Sequence, residues 1–150
     1  MSKGKKITLT VLSLVLLVLL GREIGICDFQ LASWKSKEKW SGTTSHRGGS
    51  VSIANVKEAG DGATIHFSDG SSATLKVDRI VYSGTYFLPL FKHIVVDMVA
   101  FVTSSDGRIR GHYTVNSSVD ITGTCSILFA RKLARMNCIN VILYQLSKGR

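Results

Sequence analysis

The stretch ATIHFSDGSSATLKV, residues 63–77, decides the fold that we predict from the sequence. Apolar and polar residues alternate on both sides of a central Ser-Asp-Gly-Ser, and this period of two is typical of strands with one buried face. An Asp-Gly pair between two alternating runs indicates a hairpin, because both central residues of a tight type I′ turn need positive φ. We therefore predict a hairpin whose strands are residues 63–67 and 72–78.

A second hairpin is predicted downstream by the same signals. Residues 91–103, FKHIVVDMVAFVT, are apolar and β-branched, which favours a central strand. A second Asp-Gly turn follows, and residues 109–115 then alternate again. Together with the β-rich residues 80–90, these segments predict a mainly β fold, a compact antiparallel sandwich or barrel of about 7–8 short strands after an N-terminal hydrophobic helix. We place this β-domain at residues 51–150.

The C-terminal segment has two interpretations, of which the first consists of strands. Residues 125–130 and 138–146 would pair, and the many β-branched residues of the second segment favour this choice. A disulfide between Cys125 and Cys138 would then close a loop of about fifteen residues, which stabilises a fold in an oxidising compartment. We favour these strands and the disulfide.

The second interpretation is a helix over residues 126–136, with Ser126 or Thr124 as its N-cap. The two cysteines would then be separated by about 1.5 Å of rise for each helical residue, far beyond the ~7 Å between Cα atoms that a disulfide allows. The helix and the disulfide therefore exclude each other.

Residues 1–26 combine a basic start with an uncharged apolar run. The run is ITLTVLSLVLLVLL, residues 7–20, and three lysines precede it. This arrangement is typical of a secretory signal peptide, whose apolar region has about 7–15 residues. No small-x-small cleavage pattern follows, so the alternative is an uncleaved signal anchor that leaves the rest of the chain on the extracytoplasmic side. Lipidation of Cys27 and a buried helix of a cytosolic protein are the remaining interpretations.

Residues 27–50 are polar and basic and lack an apolar period, so we predict a linker. Indole rings and cations both suit the head-group region of a bilayer, and we therefore expect membrane-surface contacts in this segment. The side chains concerned are Trp34, Lys35, Lys37, Lys39 and Trp40. The alternative is a solvated linker whose tryptophans dock on the domain.

The chain is basic, with nineteen Lys and Arg against ten Asp and Glu and a formal net charge of +9. A basic exported domain attracts an acidic protein partner or an anionic envelope surface, and no nucleic acid is expected in that compartment. One candidate binding patch would combine the second hairpin with the C-terminal segment. It comprises Arg108, Arg110, Arg131, Lys132 and Arg135. If the two segments do not adjoin, these residues are ordinary charged loops.

The sequence contains no catalytic motif: it has no GxSxG, HExxH, P-loop or dinucleotide fingerprint. The three scattered cysteines have no zinc spacing, and we expect neither a metal nor a cofactor. His66 and His112 fall opposite the apolar residues of their strands, which predicts solvent exposure. Asp97 lies within the apolar strand 91–103, where a buried carboxylate needs a basic partner.

Because no catalytic set is found, we expect no enzyme and interpret the chain as a small β-domain that acts by binding. The favoured function is an envelope- or secretion-associated interaction protein with a basic surface. It would be anchored in the membrane through residues 7–20, or be periplasmic or secreted if the leader is cleaved. The alternative is a secreted inhibitor or effector that binds another protein through its hairpin loops.

Overall fold

The computed structural model describes residues 2–23, 31–47, 52–59, 61–87 and 90–148. The elements in chain order are helix α1 (Lys3–Glu23), strands β1 (Leu31–His46), β2 (Ile53–Ala59), β3 (Gly62–Phe67), β4 (Ser72–Phe87), β5 (Phe91–Ser104) and β6 (Ile109–Thr124), and helix α2 (Ile127–Ser147). The six strands form one antiparallel sheet in the order β1-β6-β5-β4-β3-β2, which curls into a half-barrel. The prediction of a mainly β fold after an N-terminal helix is confirmed.

Alternation along the central strands gives the sheet an inner and an outer face. On β5 the even-numbered side chains from Ile94 to Val102 are buried, and on β6 the odd-numbered ones from Ile109 to Ile121 are buried. Helix α2 packs against β6, β5 and β1, so the apolar face is the inner one. The odd-numbered side chains of β5 point to the outer face and are half-buried or exposed.

Both predicted hairpins are confirmed, but their turns are not of type I′. Gly70 and Gly107 have positive φ values of 89° and 73°, whereas no non-glycine residue described has positive φ. In each turn the glycine N–H donates to a carbonyl three residues earlier, that of Phe67 (3.1 Å) or Ser104 (3.1 Å). Only the glycine of each Asp-Gly pair therefore uses the left-handed conformation that it adopts without steric cost.

The structure has longer and fewer strands than predicted, because the strands predicted at residues 72–78 and 80–90 belong to one strand, β4. Residues 80–90 do not form a separate element, since β4 runs from Ser72 to Phe87. A register shift against β5 between Val77 and Arg79 leaves Asp78 as an extra residue. Such a bulge bends a strand without ending it, which lets β4 follow the curl of the sheet.

The strands predicted for residues 125–130 and 138–146 are wrong, because α2 covers this part of the chain. Ser126 caps the helix, and its hydroxyl accepts a hydrogen bond from the Phe129 N–H at 3.1 Å. The buried side chains recur at helical spacing and face the sheet: Ala130, Ala134, Cys138, Ile139, Ile142 and Leu146. Burial of this stripe outweighs the β propensity of individual residues, as tertiary packing commonly does.

The predicted disulfide is also wrong. Cys125 and Cys138 are not bonded to each other, and both are fully buried. Cys125 precedes the helix and Cys138 lies in its middle, so most of the residues between them are helical. The sequence implies that the helix and the disulfide exclude each other, and the structure forms the helix.

The linker predicted for residues 27–50 is wrong for residues 31–46, which form β1. This strand pairs with β6 along its entire length, from Leu31 opposite Thr124 to His46 opposite Ile109. Its three lysines fall on one face and its two tryptophans on the other, so the pattern has the period of a strand although few of its residues are apolar. Charged side chains of this kind are common on edge strands.

Helix α1 is exposed and apolar all round. Nineteen of its residues, Lys3–Gly21, are long and apolar enough to cross a membrane, and none of this span is buried within the structure. At about 1.5 Å per residue the span is about 28 Å long, close to the ~30 Å of a hydrocarbon core. The helix therefore fits a signal peptide or a membrane anchor, and it is not a core helix of this domain.

Candidate functional site: the free edge of strand β1

Strand β1 lies at one end of the sheet and β2 at the other, and no described strand pairs with the second edge of β1. The Arg47 N–H donates to the Arg108 carbonyl at 2.9 Å, which sets the phase of the β1–β6 ladder. Because antiparallel pairing alternates, the odd-numbered residues of β1 bond to β6. The N–H and C=O groups of Trp34, Ser36, Glu38 and Trp40 consequently point to the free edge.

The two tryptophans of β1 lie on the inner face, at the rim of the core. Trp34 meets Phe129 of α2 edge-on, with 6.4 Å between the ring centroids. Trp40 meets Tyr113 of β6 at the same centroid distance and a tilt of 49°. Their exposed fractions are 49% and 43%, so about half of each indole is available to a ligand. Large half-exposed aromatic side chains are typical anchors at binding surfaces.

A groove of about 440 Å³ separates β1 from the second half of α2. Its lining combines aromatic, amide and carboxylate side chains, namely Glu38, Trp40, Asn137, Asn140, Val141, Tyr144 and Gln145. The Asn137 Nδ2 is buried and has no hydrogen-bond partner among the described residues. We call this feature the β1–α2 groove.

The lysines of β1 lie on the opposite, outer face. Lys35, Lys37 and Lys39 alternate with the inward-facing residues and stand opposite Asp120, Ser118 and Asn116 of β6. The structure therefore separates the tryptophans and lysines that the sequence suggested as one membrane-contacting set. It gives β1 an aromatic side and a cationic side, with the unpaired backbone edge between them.

Asp97 lies on the outer face and is exposed. Its Oδ1 accepts a hydrogen bond from the Asn116 Nδ2 at 2.7 Å, and nearby the His93 Nδ1 lies 2.6 Å from the Asp120 Oδ1. The apolar run around Asp97 suggested burial because its odd-numbered valines share that face. Those side chains are only half-buried on the outer face, so the carboxylate needs no buried basic partner.

The candidate patch of five basic residues is not brought together. Arg110 is exposed on the outer face of β6, whereas Arg131, Lys132 and Arg135 belong to α2 on the inner side. The Arg131 guanidinium lies over the ring of Tyr82, 5.4 Å from its centroid. These side chains therefore do not form one continuous patch. Such a patch would require the second hairpin and the C-terminal segment to meet on one surface.

Arg108, the fifth member of the set, joins the two Asp-Gly turns. Its Nε donates to the Asp106 Oδ2 at 2.6 Å, and its Nη2 donates to the Asp69 Oδ2 at 2.9 Å. Hydrogen bonds from Ser71 and then from Arg108 hold the pKa of Asp69 far below its usual value. The pKa of Asp106 is lowered by the Ser104 hydroxyl and then by Arg108. These hydrogen bonds connect the two turns, and we call this cluster the clasp. They engage the Arg108 guanidinium within the clasp.

The histidines and cysteines form no reactive site in the part of the chain that the structure describes. His66 and His112 are exposed, and the His112 ring stacks on Phe101 with 4.8 Å between centroids. The described residues contain no group of three or more His, Cys, Asp or Glu that could hold a metal ion. Burial raises the pKa of the Cys138 thiol to about 12, so a thiolate does not form there near neutral pH.

Comparisons with protein-family models, with curated proteins and with solved structures found no match. The class of this protein therefore follows from its own geometry: an antiparallel half-barrel with an exposed N-terminal apolar helix and a long free edge strand. The side chains of this edge are predictable as a contact surface, but the strand that carries them is predicted as a linker. The alternation of Trp34, Ser36, Glu38 and Trp40 with three lysines was the signal that indicates it.

Proposed function

We propose that this chain is an exported or membrane-anchored β-domain that acts by binding, as an envelope- or secretion-associated interaction protein. We further propose that it binds an extended, acidic segment of a protein partner by strand addition to β1. The single observation that carries the proposal is the free edge of β1, a strand of sixteen residues at the end of the sheet. Strand addition to an exposed sheet edge is an established mode of peptide recognition, in which main-chain hydrogen bonds supply affinity.

The two sides of β1 define what the added segment must carry. Its side chains alternate, so one set lies beside Lys35, Lys37 and Lys39, and carboxylates complement these cations. The other set lies beside Trp34 and Trp40 and at the mouth of the β1–α2 groove, where apolar or aromatic side chains fit. The expected ligand therefore alternates acidic with apolar residues.

The lysines also disfavour pairing of β1 with a second copy of itself. Two β1 strands side by side would place rows of like charge on the same face, which is unfavourable. An acidic partner removes this repulsion and gains attraction instead. The lysines thus discriminate between partners, and their contribution falls as salt is added.

A proline scan of β1 separates strand addition from other modes of binding. Ser36→Pro removes an N–H that points to the free edge, whereas Lys37→Pro removes one that bonds to β6. The probe is a synthetic peptide of about ten residues that alternates Glu with Val or Tyr, a length that spans Trp34 to Trp40. Binding to the full chain in lipid nanodiscs is measured by fluorescence anisotropy.

We expect the acidic peptide to bind the unaltered chain at least about tenfold more tightly than a counterpart with Lys in place of Glu. Ser36→Pro should abolish binding and leave the melting temperature nearly unchanged, and Lys37→Pro should lower the melting temperature. Unchanged binding by a folded Ser36→Pro protein would refute strand addition. Equal binding of both peptides would refute the requirement for acidic residues.

A further inference from the structure

The end of the sheet where β4 turns into β5 exposes large apolar side chains. Phe87 is 67% exposed, Leu90 59% and Phe91 39%, and Leu128 at the start of α2 is 72% exposed. The strand register places Phe87 opposite Phe91 and Phe91 opposite Thr122, near the end of β6. Leu90 directly precedes Phe91, and Leu128 follows β6 within four residues. We call these four side chains the apolar end.

The opposite end of the sheet is polar. It is formed by the Ser-Asp-Gly turns after β3 and β5, which the Arg108–Asp69 ion pair joins at 2.9 Å. Sixteen residues of β6 separate the two ends, about 50 Å at a strand rise of about 3.3 Å. Exposed aromatic and leucine side chains gathered at one end of a sheet mark an interaction surface.

The apolar end is the part of the domain that is connected to α1 by the fewest residues. Leu31, the first residue of β1, opposes Thr124, so β1 begins at this end. Only residues 24–30 connect it to the end of α1 at Glu23. Fully extended, this connection spans at most about 28 Å, so the polar end cannot reach the membrane surface beside α1 while the sheet stands upright.

We infer that the apolar end inserts into the interfacial layer of the bilayer that holds α1. This inference rests on the membrane-anchored form of the proposed function. Phe87, Leu90, Phe91 and Leu128 enter the boundary between head groups and acyl chains, where aromatic and leucine side chains are favoured. The exposed Arg131 and Lys132 in the second turn of α2 then face anionic head groups. The domain stands on the membrane with its polar turns pointing away.

This orientation also places the β1 edge relative to the lipid. Trp34 lies three residues from the membrane-proximal start of β1, and Trp40 lies six residues further along the strand, about 20 Å away. An added partner strand would therefore run roughly along the membrane normal. One of its ends would lie at the bilayer surface and the other in solution.

Tryptophan fluorescence in bilayers tests the inference. In the full chain with Trp34→Phe and Trp40→Phe, a single reporter is introduced as Phe87→Trp at the apolar end or as Phe101→Trp near the polar end. Phe101 is a matched control, since it is an exposed aromatic residue on the same sheet, 42% exposed. The proteins are reconstituted in vesicles of phosphatidylcholine with phosphatidylglycerol, with and without brominated acyl chains.

We expect bromine to quench the reporter at position 87 at least about threefold more strongly than the reporter at position 101, because contact quenching requires the indole to reach the acyl chains. Leu128→Trp is a second reporter of the same end and should be quenched like Phe87→Trp. Equal quenching at positions 87 and 101 overturns the inference. A blue-shifted emission at position 87 without bromine quenching also overturns it, and indicates that a second copy covers the apolar end.

The retention of α1 is measured in the same samples by carbonate extraction and by the mass of the intact chain. If α1 is removed from the mature protein, both the membrane anchor and the insertion of the apolar end fail. If α1 stays in the bilayer and position 87 is not quenched, only the insertion fails. If α1 stays and the peptide probe does not bind, strand addition fails while the insertion stands.

Discussion

The Arg108 guanidinium reaches from the turn between β5 and β6 to the Asp69 carboxylate in the turn between β3 and β4, with 2.9 Å between Nη2 and Oδ2. The same guanidinium holds Asp106 in its own turn at 2.6 Å. One arginine therefore couples the turns of two successive hairpins, β3–β4 and β5–β6. It does so at the end of the sheet farthest from α1.

The clasp predicts an acid-sensitive contribution to stability. The pKa values of Asp69 and Asp106 are lowered in the folded protein, so their stabilising effect is present above the unfolded-state pKa of about 4 and is lost as the pH falls below it. Asp69→Asn should lower the melting temperature at pH 7, and the difference from the unaltered chain should shrink steadily as the pH falls below about 4. Glu58→Gln, an exposed change on β2, controls for the loss of one negative charge. An Asp69→Asn effect that grows as the pH falls would contradict this assignment.

The N-cap of α2 predicts a measurable loss when its hydroxyl is removed. Ser126→Ala leaves the Phe129 N–H without its side-chain acceptor and should cost about 1 kcal/mol of unfolding free energy. Ser147→Ala at the other end of α2 is the control, because the Ser147 hydroxyl donates to the Tyr144 carbonyl and caps no N–H. Urea unfolding followed by circular dichroism measures both. Equal losses for the two variants would show that Ser126 does not act as a cap.

Two leucines of α2 differ in burial, so we expect different losses of unfolding free energy when each is replaced by alanine. Leu146 is fully buried, and Leu146→Ala should cost about 2–5 kcal/mol because it removes core contacts and leaves a cavity. Leu128 is 72% exposed, and Leu128→Ala should change the unfolding free energy by less than about 0.5 kcal/mol in the absence of lipid. Chemical denaturation in detergent checks both. A large loss for Leu128→Ala in detergent would mean that the start of α2 packs differently.

The helix that separates Cys138 from Cys125 predicts that no disulfide joins these two cysteines. Peptide mapping without reductant should recover the two cysteines on separate peptides, each modified by alkylation after unfolding. In the folded protein at pH 8 the Cys138 thiol should resist iodoacetamide, because its pKa is raised to about 12 and it is buried. A cross-linked peptide that contains both cysteines would refute the helix over residues 127–147.

The two hairpins were predictable because their signals are local. The Asp-Gly turns and the alternation around them depend on residues that are neighbours in sequence. The structure pairs Ala63 with Leu75 and Thr103 with Arg110 in the two predicted hairpins. The turn type was not predictable to the same degree. An Asp-Gly pair suits several turns that differ only in which residue adopts positive φ.

The location of the candidate site was less predictable than its residues. The composition singles out the side chains Trp34, Lys35, Lys37, Lys39 and Trp40. It predicts a linker, however, where the structure forms the strand that arranges them. An edge strand has few buried side chains, so its apolar pattern is weak. Its partner, β6, lies more than sixty residues away in the chain, and no local signal identifies such a neighbour.

The sequence by itself determined the apolar leader, the β-rich character of residues 63–115 and the position of the Asp-Gly turns, because helix length, strand period and turn chemistry are properties of short segments. Only the tertiary structure decided that residues 127–147 are helical, that Asp97 faces outward and that β1 completes the sheet. These outcomes depend on which apolar face finds a partner, since burial against distant residues outweighs local propensity. That same packing places β1 at an edge of the sheet and leaves one end of the sheet apolar, and from these two features the proposals on binding and membrane insertion follow.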